Sequence, residues 1–443
     1  MNGDIDLSNV TYLGEDSFYH CNSIDKPLDV SNVASIRGNT FDGCKKVPSI
    51  TLKDNFVLYS SSSQRVFADC ESLTSILQPA TWPSNTVPLG TYSGCINLEQ
   101  SFDLTGATSI ESEAFMNCKK MLSPTLGTIS YLGLKAFFGC SSITEFHFNA
   151  GSTVTAIYEQ TFRDCTSLAS ITFAQDSKIT QFGRHAFANT KITSITAPAT
   201  LKTISDRCFE DCSDLVEVDL SGSVYNPSYY GLATYLFNNC VNLTTVKFPA
   251  TVEAQIGAYT FRNCPKLLSI DCPKGIRRLD SQGFAESSIE EIPQLTTEVT
   301  ALPTECFKNS GLKRIVIQDQ ITYINSWCFA GCTKLTSVTF HETKNITLSS
   351  YTFSGCAALD EIIIPSNVKM TQSSIFAQDV YEGGVKRVYI KGTSDSNLGS
   401  GAFRNNTSIT DVYFQWSQPS GDPPRYGLRA EATIHYDWDP DAV

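Results

Sequence analysis

The sixteen cysteines are the residues of this 443-residue sequence with the most potential for chemistry, because a thiolate is both a nucleophile and a zinc ligand. A zinc site needs a close cluster of cysteines and histidines. The nearest cysteine pairs, Cys208/Cys212 and Cys328/Cys332, are four positions apart with a phenylalanine between them. The histidines are dispersed, and none is paired in sequence with a plausible nucleophile: His20, His147, His185, His341 and His435. We therefore expect no catalytic residue, no metal site and no cofactor.

Motifs and charge argue against several classes of function. The sequence contains no P-loop, no G-x-G-x-x-G after a strand, no H-E-x-x-H and no G-x-S-x-G, so we expect no enzyme. The formal net charge of -12 disfavours nucleic acid as a partner. No uncharged apolar stretch approaches the ~18 residues that a membrane span needs. We expect neither nucleic-acid binding nor membrane insertion of this segment.

The cysteines recur in one motif, Phe-x-x-Cys. With 26 phenylalanines and 16 cysteines, chance would produce about one copy (26 × 16/443). The sequence has eleven: Phe18/Cys21, Phe41/Cys44, Phe67/Cys70, Phe115/Cys118, Phe137/Cys140, Phe162/Cys165, Phe209/Cys212, Phe237/Cys240, Phe261/Cys264, Phe329/Cys332 and Phe353/Cys356. The motif therefore marks an internal repeat.

Further residues keep the same register. Tyr92/Cys95 is a conservative twelfth copy, and five phenylalanines continue the repeat without cysteine: Phe187, Phe284, Phe307, Phe376 and Phe403. From Phe18 to Phe403 the mean interval is 24.1 residues (385 residues in 16 intervals). A period of this length predicts a solenoid. The chain is long enough for two or three domains, but we interpret it as about 17 copies of one repeat unit.

Each repeat also contains a strand pattern. After Cys165, apolar residues follow at Leu168, Ile171 and Phe173, and the last two alternate with polar residues, as in a strand with one buried face. One repeat cannot bury its own apolar face, so we expect stacked repeats, one short parallel strand in each, and little regular helix. The cysteines occupy small or apolar core positions, where cysteine packs as a hydrophobe. A disulfide framework is not expected, although neighbouring ladder cysteines are close enough for an occasional bridge.

The whole unit, Ile-x-x-x-x-Phe-x-x-Cys followed by Leu-x-x-Ile-x-Leu, resembles the BspA-like (Treponema pallidum-type) leucine-rich repeat family. The resemblance covers the chain from about Ile5 to Phe414. It implies a curved right-handed superhelix, a location on bacterial or protozoan cell surfaces, and adhesion to host proteins or other cells. Similar repeats occur in phage-associated proteins. The family implies no catalytic residues, and this chain lacks the asparagine that commonly follows the strand.

The two ends of the sequence differ from the repeat. Ile5 and Leu7 already fit the strand pattern, so we expect a solenoid over residues 1–415 that starts inside a repeat without an N-terminal cap. This suggests a fragment or processed form whose export signal lies upstream or has been removed, in keeping with an extracellular or cell-surface location. After Trp416 the pattern stops, and we expect residues 416–443 to form a C-terminal capping segment.

The outward-facing strand position becomes apolar in the later repeats, at Val316, Ile363, Tyr389 and Tyr413. Apolar and aromatic residues exposed among arginines are typical of binding hot spots. Two alternatives stay open, namely packing against the C-terminal segment and simple strand propensity. The candidate ligand-binding residues on the concave face are Arg314, Val316, Gln318, Glu361, Ile363, Arg387, Tyr389, Lys391, Tyr413 and Gln415.

A second candidate is the longest insertion, whose turn-prone loop contains Tyr225, Tyr229 and Tyr230. Such loops often bind ligands, but anchoring of the loop against the solenoid is an equal alternative. The sequence thus predicts a non-catalytic surface adhesion protein that binds a protein or glycan, including host extracellular matrix. The alternative is a structural or scaffold solenoid of an intracellular, phage or fibre assembly.

Overall fold

The computed structural model describes residues 5–59, 64–226, 233–378, 383–420 and 424–442. The chain divides into two compact units, Met1–Tyr230 and Gly231–Val443. Each is a parallel-strand solenoid, and together they have about 17 turns, as the repeat predicts. The described regular structure consists of strands and turns with two short 3₁₀ helices, Pro83–Asn85 and Pro440–Ala442.

The first strand row follows the motif cysteine and uses the predicted alternation. In Glu145–Phe148, for example, exposed and buried residues alternate, so Phe146 and Phe148 enter the core. In the unit Met1–Tyr230 this row comprises Leu28–Val30, Ile50–Leu52, Asp103–Leu104, Thr125–Leu126, Glu145–Phe148, Ser170–Phe173, Ser194–Thr196 and Glu217–Asp219. In the unit Gly231–Val443 it comprises Thr245–Lys247, Arg314–Val316, Ser337–Thr339, Glu361–Ile364, Arg387–Ile390, Asp411–Phe414 and Thr433–His435.

A second, shorter strand row precedes the repeat phenylalanine, where the sequence places one apolar residue per repeat. Its pairs are also parallel, for example Ile110 with Leu132. In the first unit it comprises Ser35–Ile36, Val57–Leu58, Thr86–Val87, Ser109–Ile110, Tyr131–Leu132, Ala156–Ile157, Gln181–Phe182 and Thr203–Ile204. In the second unit it comprises Ala254–Ile256, Ile276–Leu279, Ala301–Leu302, Tyr323–Ile324, Ile346–Leu348 and Val368–Lys369.

Between the two strand rows, the repeat phenylalanines form a continuous ladder within each unit. The ring centroids of Phe115 and Phe137 are 5.4 Å apart, and those of Phe137 and Phe162 are 5.8 Å apart, with nearly parallel planes. In the second unit, Phe284 and Phe307 stack at 5.6 Å. These rings are fully buried. Their contacts hold successive turns in register.

The C-terminal segment continues the first strand row. Thr433–His435 pairs in parallel with Asp411–Phe414, and the N–H of Trp438 donates to the carbonyl of Phe414 at 2.9 Å. Trp416 is buried and stacks at 4.5 Å from Phe414. The segment therefore packs on the last repeats, while the proposed boundary at residue 416 and its role as a cap remain predictions.

Candidate ligand-binding surface

Most of the sixteen cysteines lie in the core, and those of the repeat motif form an internal row there. Fourteen are buried and all sixteen are free thiols; Cys21 and Cys272, which we also expected in the core, are only partly buried. Burial raises the pKa of Cys44, Cys95 and Cys264 to about 12, so these thiols stay protonated at neutral pH. A reactive cysteine requires a low pKa and access to solvent, and these three buried thiols have neither.

The cysteine thiols also make hydrogen bonds that the sequence analysis missed. Ten of them donate to the carbonyl of the aromatic motif residue in the preceding repeat at 3.0–3.3 Å. Cys165, for example, donates to the carbonyl of Phe137 at 3.0 Å. The cysteine position is therefore a link between repeats as well as a packing position.

The outward-facing side of the first strand row in the unit Gly231–Val443, which we call the strand face, has the predicted register. Val316 pairs with Thr339, and Ile363 pairs with Tyr389, which pairs with Tyr413. Val316 is 64% exposed and Ile363 is 43% exposed. The strand face thus presents two apolar side chains to solvent, at positions where polar residues are normal.

Charged and polar candidates surround these apolar side chains. Arg387 bonds to Glu361 at 2.9 Å across neighbouring strands, and both are half-exposed. The side-chain oxygen of Gln415 accepts a hydrogen bond from the N–H of Gly392 at 2.8 Å, which holds Gln415 against the neighbouring repeat. Lys391 and Gln415 border a shallow groove of about 520 Å³. These contacts fix the polar side chains in position before any ligand arrives.

The remaining two candidates, Arg314 and Gln318, do not line this groove. Arg314 is exposed on the strand that carries Val316. The side-chain oxygen of Gln318 accepts a hydrogen bond from the N–H of Leu295 at 3.1 Å, so Gln318 is anchored to the preceding repeat. The structure therefore brings Arg314, Val316 and Gln318 together at one part of the strand face.

The expected exposure of Tyr389 is wrong, because the C-terminal segment covers it. Its side chain is only 8% exposed, with Tyr413 stacked at 4.7 Å and Trp438 at 5.0 Å. His435 stacks on the other side of Tyr413 at 4.3 Å and lies 2.8 Å from Asp411. The alternative of packing against the C-terminal segment therefore applies to Tyr389, while Tyr413 is half-buried.

The loop candidate Tyr225 is also corrected by the structure. Its side chain is 3% exposed, and burial raises the pKa of its hydroxyl well above the usual range. Its N–H donates to the Ser223 hydroxyl at 3.2 Å. Tyr225 therefore anchors the loop in the interior and does not face solvent. Tyr229 and Tyr230 lie outside the described residues.

A further set of aromatic residues was missed by the sequence analysis. Tyr235, Tyr259, Trp327 and Tyr351 each stand two positions before a repeat phenylalanine, and each is half-buried at the surface. The signal was present in the fixed spacing to Phe237, Phe261, Phe329 and Phe353, which marks one repeat position. We call the residues at this position the turn row.

Within the described residues, no group of three or more His, Cys, Asp or Glu side chains could hold a metal ion. The same ranges contain no helix with the length and apolar character needed to cross a membrane.

The fold matches solved structures of repeat proteins. A leucine-rich repeat protein from Bacteroides ovatus is 20% identical, with a TM-score of 0.58 over 80% of this chain and 82% of that chain. A leucine rich cell surface protein from Faecalibacterium prausnitzii is 19% identical, with a TM-score of 0.35 over 93% of this chain and 83% of that chain. The first of these similarities supports the leucine-rich repeat fold.

Sequence comparisons give the family. No curated protein matches this chain. The family model described as the BspA type leucine rich repeat region matches residues 11–144, 85–216, 130–252, 231–347 and 300–418. These matches span nearly all of the repeats that the Phe-x-x-Cys motif defines. The chain therefore belongs to the BspA-type leucine-rich repeat family.

Proposed function

We propose that this chain is a non-catalytic cell-surface binding protein whose strand face holds a protein ligand. The observation that carries the proposal is the exposure of Val316 and Ile363 on a rigid strand row, beside Arg314 and the Arg387–Glu361 pair. When a partner covers exposed aliphatic side chains, the complex is stabilised by about 25 cal/mol per Å² of apolar surface removed from water. Arginine at the edge of such a surface is typical of interface hot spots.

Two corrections narrow the binding surface. Because Tyr389 and Tyr225 are buried, they do not contact a ligand directly. The accessible group on the strand face consists of Arg314, Val316, Ile363, Glu361 and Arg387, with Lys391 and Gln415 at the adjoining groove. Tyr413 contributes the part of its ring that remains exposed.

The test is a binding assay on immobilised fibronectin, laminin and collagen with purified protein. For the protein in this panel that the native chain binds, Val316→Ser with Ile363→Ser should weaken affinity at least about tenfold, which corresponds to about 1.4 kcal/mol. The control is Val216→Ser with Leu134→Ser, which removes exposed aliphatic side chains from the other unit. Unchanged affinity of the strand-face variant, or no binding to any of the three proteins, would contradict the proposal.

One observation favours the scaffold alternative. All sixteen cysteines are free thiols, whereas exported proteins commonly carry disulfides. Because the thiols are mostly buried and protonated, export is compatible with them as well. Protease treatment of intact producing cells separates the two functions: digestion of this chain supports surface display, and complete protection supports the internal scaffold.

A further inference from the structure

The turn row is a position that the repeat forces into an unusual backbone conformation. Its residues adopt positive φ in both units, for instance 50° at Arg65 and 60° at Trp327. Residues other than glycine are strained at positive φ, and the strain is smaller for asparagine and aspartate than for bulky residues. The fold therefore sets the conformation of the position, but it does not require a large side chain.

In the unit Gly231–Val443 the turn row nevertheless carries four large aromatic residues, arranged as two stacked pairs. The rings of Tyr235 and Tyr259 are 4.3 Å apart with 6° between their planes, and those of Trp327 and Tyr351 are 4.2 Å apart with 5°. All four side chains are only half-buried. Since the rings lie outside the core, packing of the repeat does not account for them.

The groups beside the rings are polar and mutually neutralised. The ammonium of Lys308 lies 5.1 Å from the Trp327 ring centroid and 2.6 Å from the Glu305 carboxylate. Gln282 donates a hydrogen bond to the other oxygen of Glu305. Arg262 lies 5.8 Å from the centroid of the Tyr259 ring. The row therefore offers hydrogen-bond donors and acceptors between its aromatic pairs.

The cations beside both aromatic pairs have a carboxylate partner. Arg262 faces Glu286 at 3.8 Å, just as Lys308 faces Glu305. Because each cation is matched by a carboxylate, the row has little net charge with which to attract an ionic polymer. An uncharged ligand suits it best.

The spacing of the two pairs indicates an extended ligand. Between Tyr259 and Trp327 the core ladder advances by three steps of 5.3, 5.6 and 5.8 Å. Beyond Tyr351 the turn row continues with Ser374, a buried side chain too short to cover a tyrosine ring. A ligand that contacts both pairs must therefore be a chain, and the half-buried ring of Tyr351 lies at the end of the aromatic stretch.

We propose that the turn row from Tyr235 to Tyr351 binds a neutral glycan chain. A sugar ring has an apolar C–H face that packs on an aromatic ring, and a rim of hydroxyls that bonds to amide, carboxylate and ammonium groups. The aromatic pairs supply the surface on which the C–H face of a sugar packs, and Gln282, Glu305 and Lys308 supply the groups that bond to its hydroxyls. This surface is separate from the strand face, so the two binding activities can be tested independently.

Affinity electrophoresis tests the proposal, with mixed-linkage β-glucan, galactomannan and dextran as neutral probes and heparin as the charged probe. We expect at least one neutral polysaccharide to retard the native protein. Trp327→Asn with Tyr351→Asn should weaken this binding more than tenfold. The melting temperature should stay equal or rise, because asparagine tolerates the left-handed backbone better than either aromatic residue.

Two controls separate ring contact from a general loss of structure. Tyr351→Phe keeps the ring and should keep binding, and Tyr158→Asn removes an exposed tyrosine of the other unit and should also keep it. Retardation by none of the three neutral probes, or by heparin alone, overturns the proposal. So does native-like binding by the double asparagine variant, or loss of binding in Tyr351→Phe.

Discussion

Each repeat cysteine both fills space and joins two turns of the solenoid. The carbonyl of Phe137 accepts the N–H of Cys140 at 3.2 Å and the thiol of Cys165 at 3.0 Å. In the repeat of Phe403, Asn406 occupies the cysteine position, and its side-chain N–H donates the equivalent bond to the carbonyl of Phe376. The sequence predicted the size of this position from its apolar surroundings. It did not reveal the hydrogen bond, because the acceptor is a backbone atom of another repeat.

Thiol titration follows directly from this arrangement. In the folded protein at pH 8, Ellman's reagent should react first with Cys21 and Cys272, which are the two partly buried cysteines. The others should react only on unfolding, because burial raises their pKa and blocks access, as at Cys44, Cys95 and Cys264. In guanidinium chloride all sixteen should react.

The matched control for the thiol titration is Cys21→Ala with Cys272→Ala. In this variant almost no thiol should react while the protein is folded, and fourteen thiols per chain should react once it is unfolded (sixteen minus two). Rapid reaction of several further thiols in the folded native protein would show that the row is accessible, contrary to its position in the structure.

Among the strands, alternation of apolar and polar residues was enough to predict the register. It placed Ile363, Tyr389 and Tyr413 at the same outward-facing position, and the strand pairings confirm this. It could not predict that Tyr389 is buried, because Trp438 belongs to a segment without the repeat pattern. A repeat defines contacts between equivalent positions, but it carries no information about what irregular segments cover.

The covering of Tyr389 by Trp438 can be tested by nitration. Trp438→Ala should expose the Tyr389 ring and increase its reaction with tetranitromethane, measured by mass spectrometry of its peptide. Loss of this contact should also lower stability by about 1–3 kcal/mol, less than a fully buried tryptophan would cost, because Trp438 is half-buried. Tyr225, buried in the other unit, serves as the internal control and should stay unreactive.

If Tyr389 is nitrated at the same rate in both proteins, the C-terminal segment does not cover the strand face in solution. In that case Tyr389 would rejoin Val316 and Ile363 as an accessible residue. The proposed ligand surface would then be larger than the structure indicates.

At the scale of the whole molecule, hydrogen bonds between repeats in the described parts of the chain span similar sequence separations. Hydrogen bonds between turns connect residues such as His341 with Ile321, 20 positions apart, and Asn397 with Ser366, 31 positions apart. In solenoids of this kind, stability is approximately a sum of repeat terms and nearest-neighbour terms. The repeat number and the solenoid could be predicted from the Phe-x-x-Cys period and the strand pattern, but the expected single strand per repeat omits the second strand row.

The turn geometry could be predicted only in part. Two positions after the phenylalanine, glycine, asparagine and aspartate predominate, as at Gly139 and Asn117, which indicates the left-handed conformation. Two positions before it, the residues vary from Asp16 to Trp327, and no residue type marks the same conformation. The turn row therefore escaped sequence analysis for a physical reason: its backbone is fixed by the repeats on either side.

A substitution in the ladder should have local effects in so linear a molecule. Phe137→Ala removes a fully buried ring between Phe115 and Phe162 and should cost about 3–5 kcal/mol. Hydrogen exchange should accelerate in the repeats on both sides of residue 137. Amides around Phe329, in the other unit, should keep their native protection, and uniform loss of protection in both units would refute the nearest-neighbour description.

The thiol bonds also bear on how the protein is made. Most of the motif cysteines donate to a carbonyl about one repeat earlier in the chain, as Cys140 does to Phe115 and Cys165 to Phe137. At the usual rate of synthesis a new 24-residue repeat leaves the ribosome every few seconds, about 1–5 s. Its acceptor carbonyl has already emerged by then. Each repeat can therefore dock on a finished surface, and the fourteen buried thiols are open to oxidation only during the short interval before their own repeats dock.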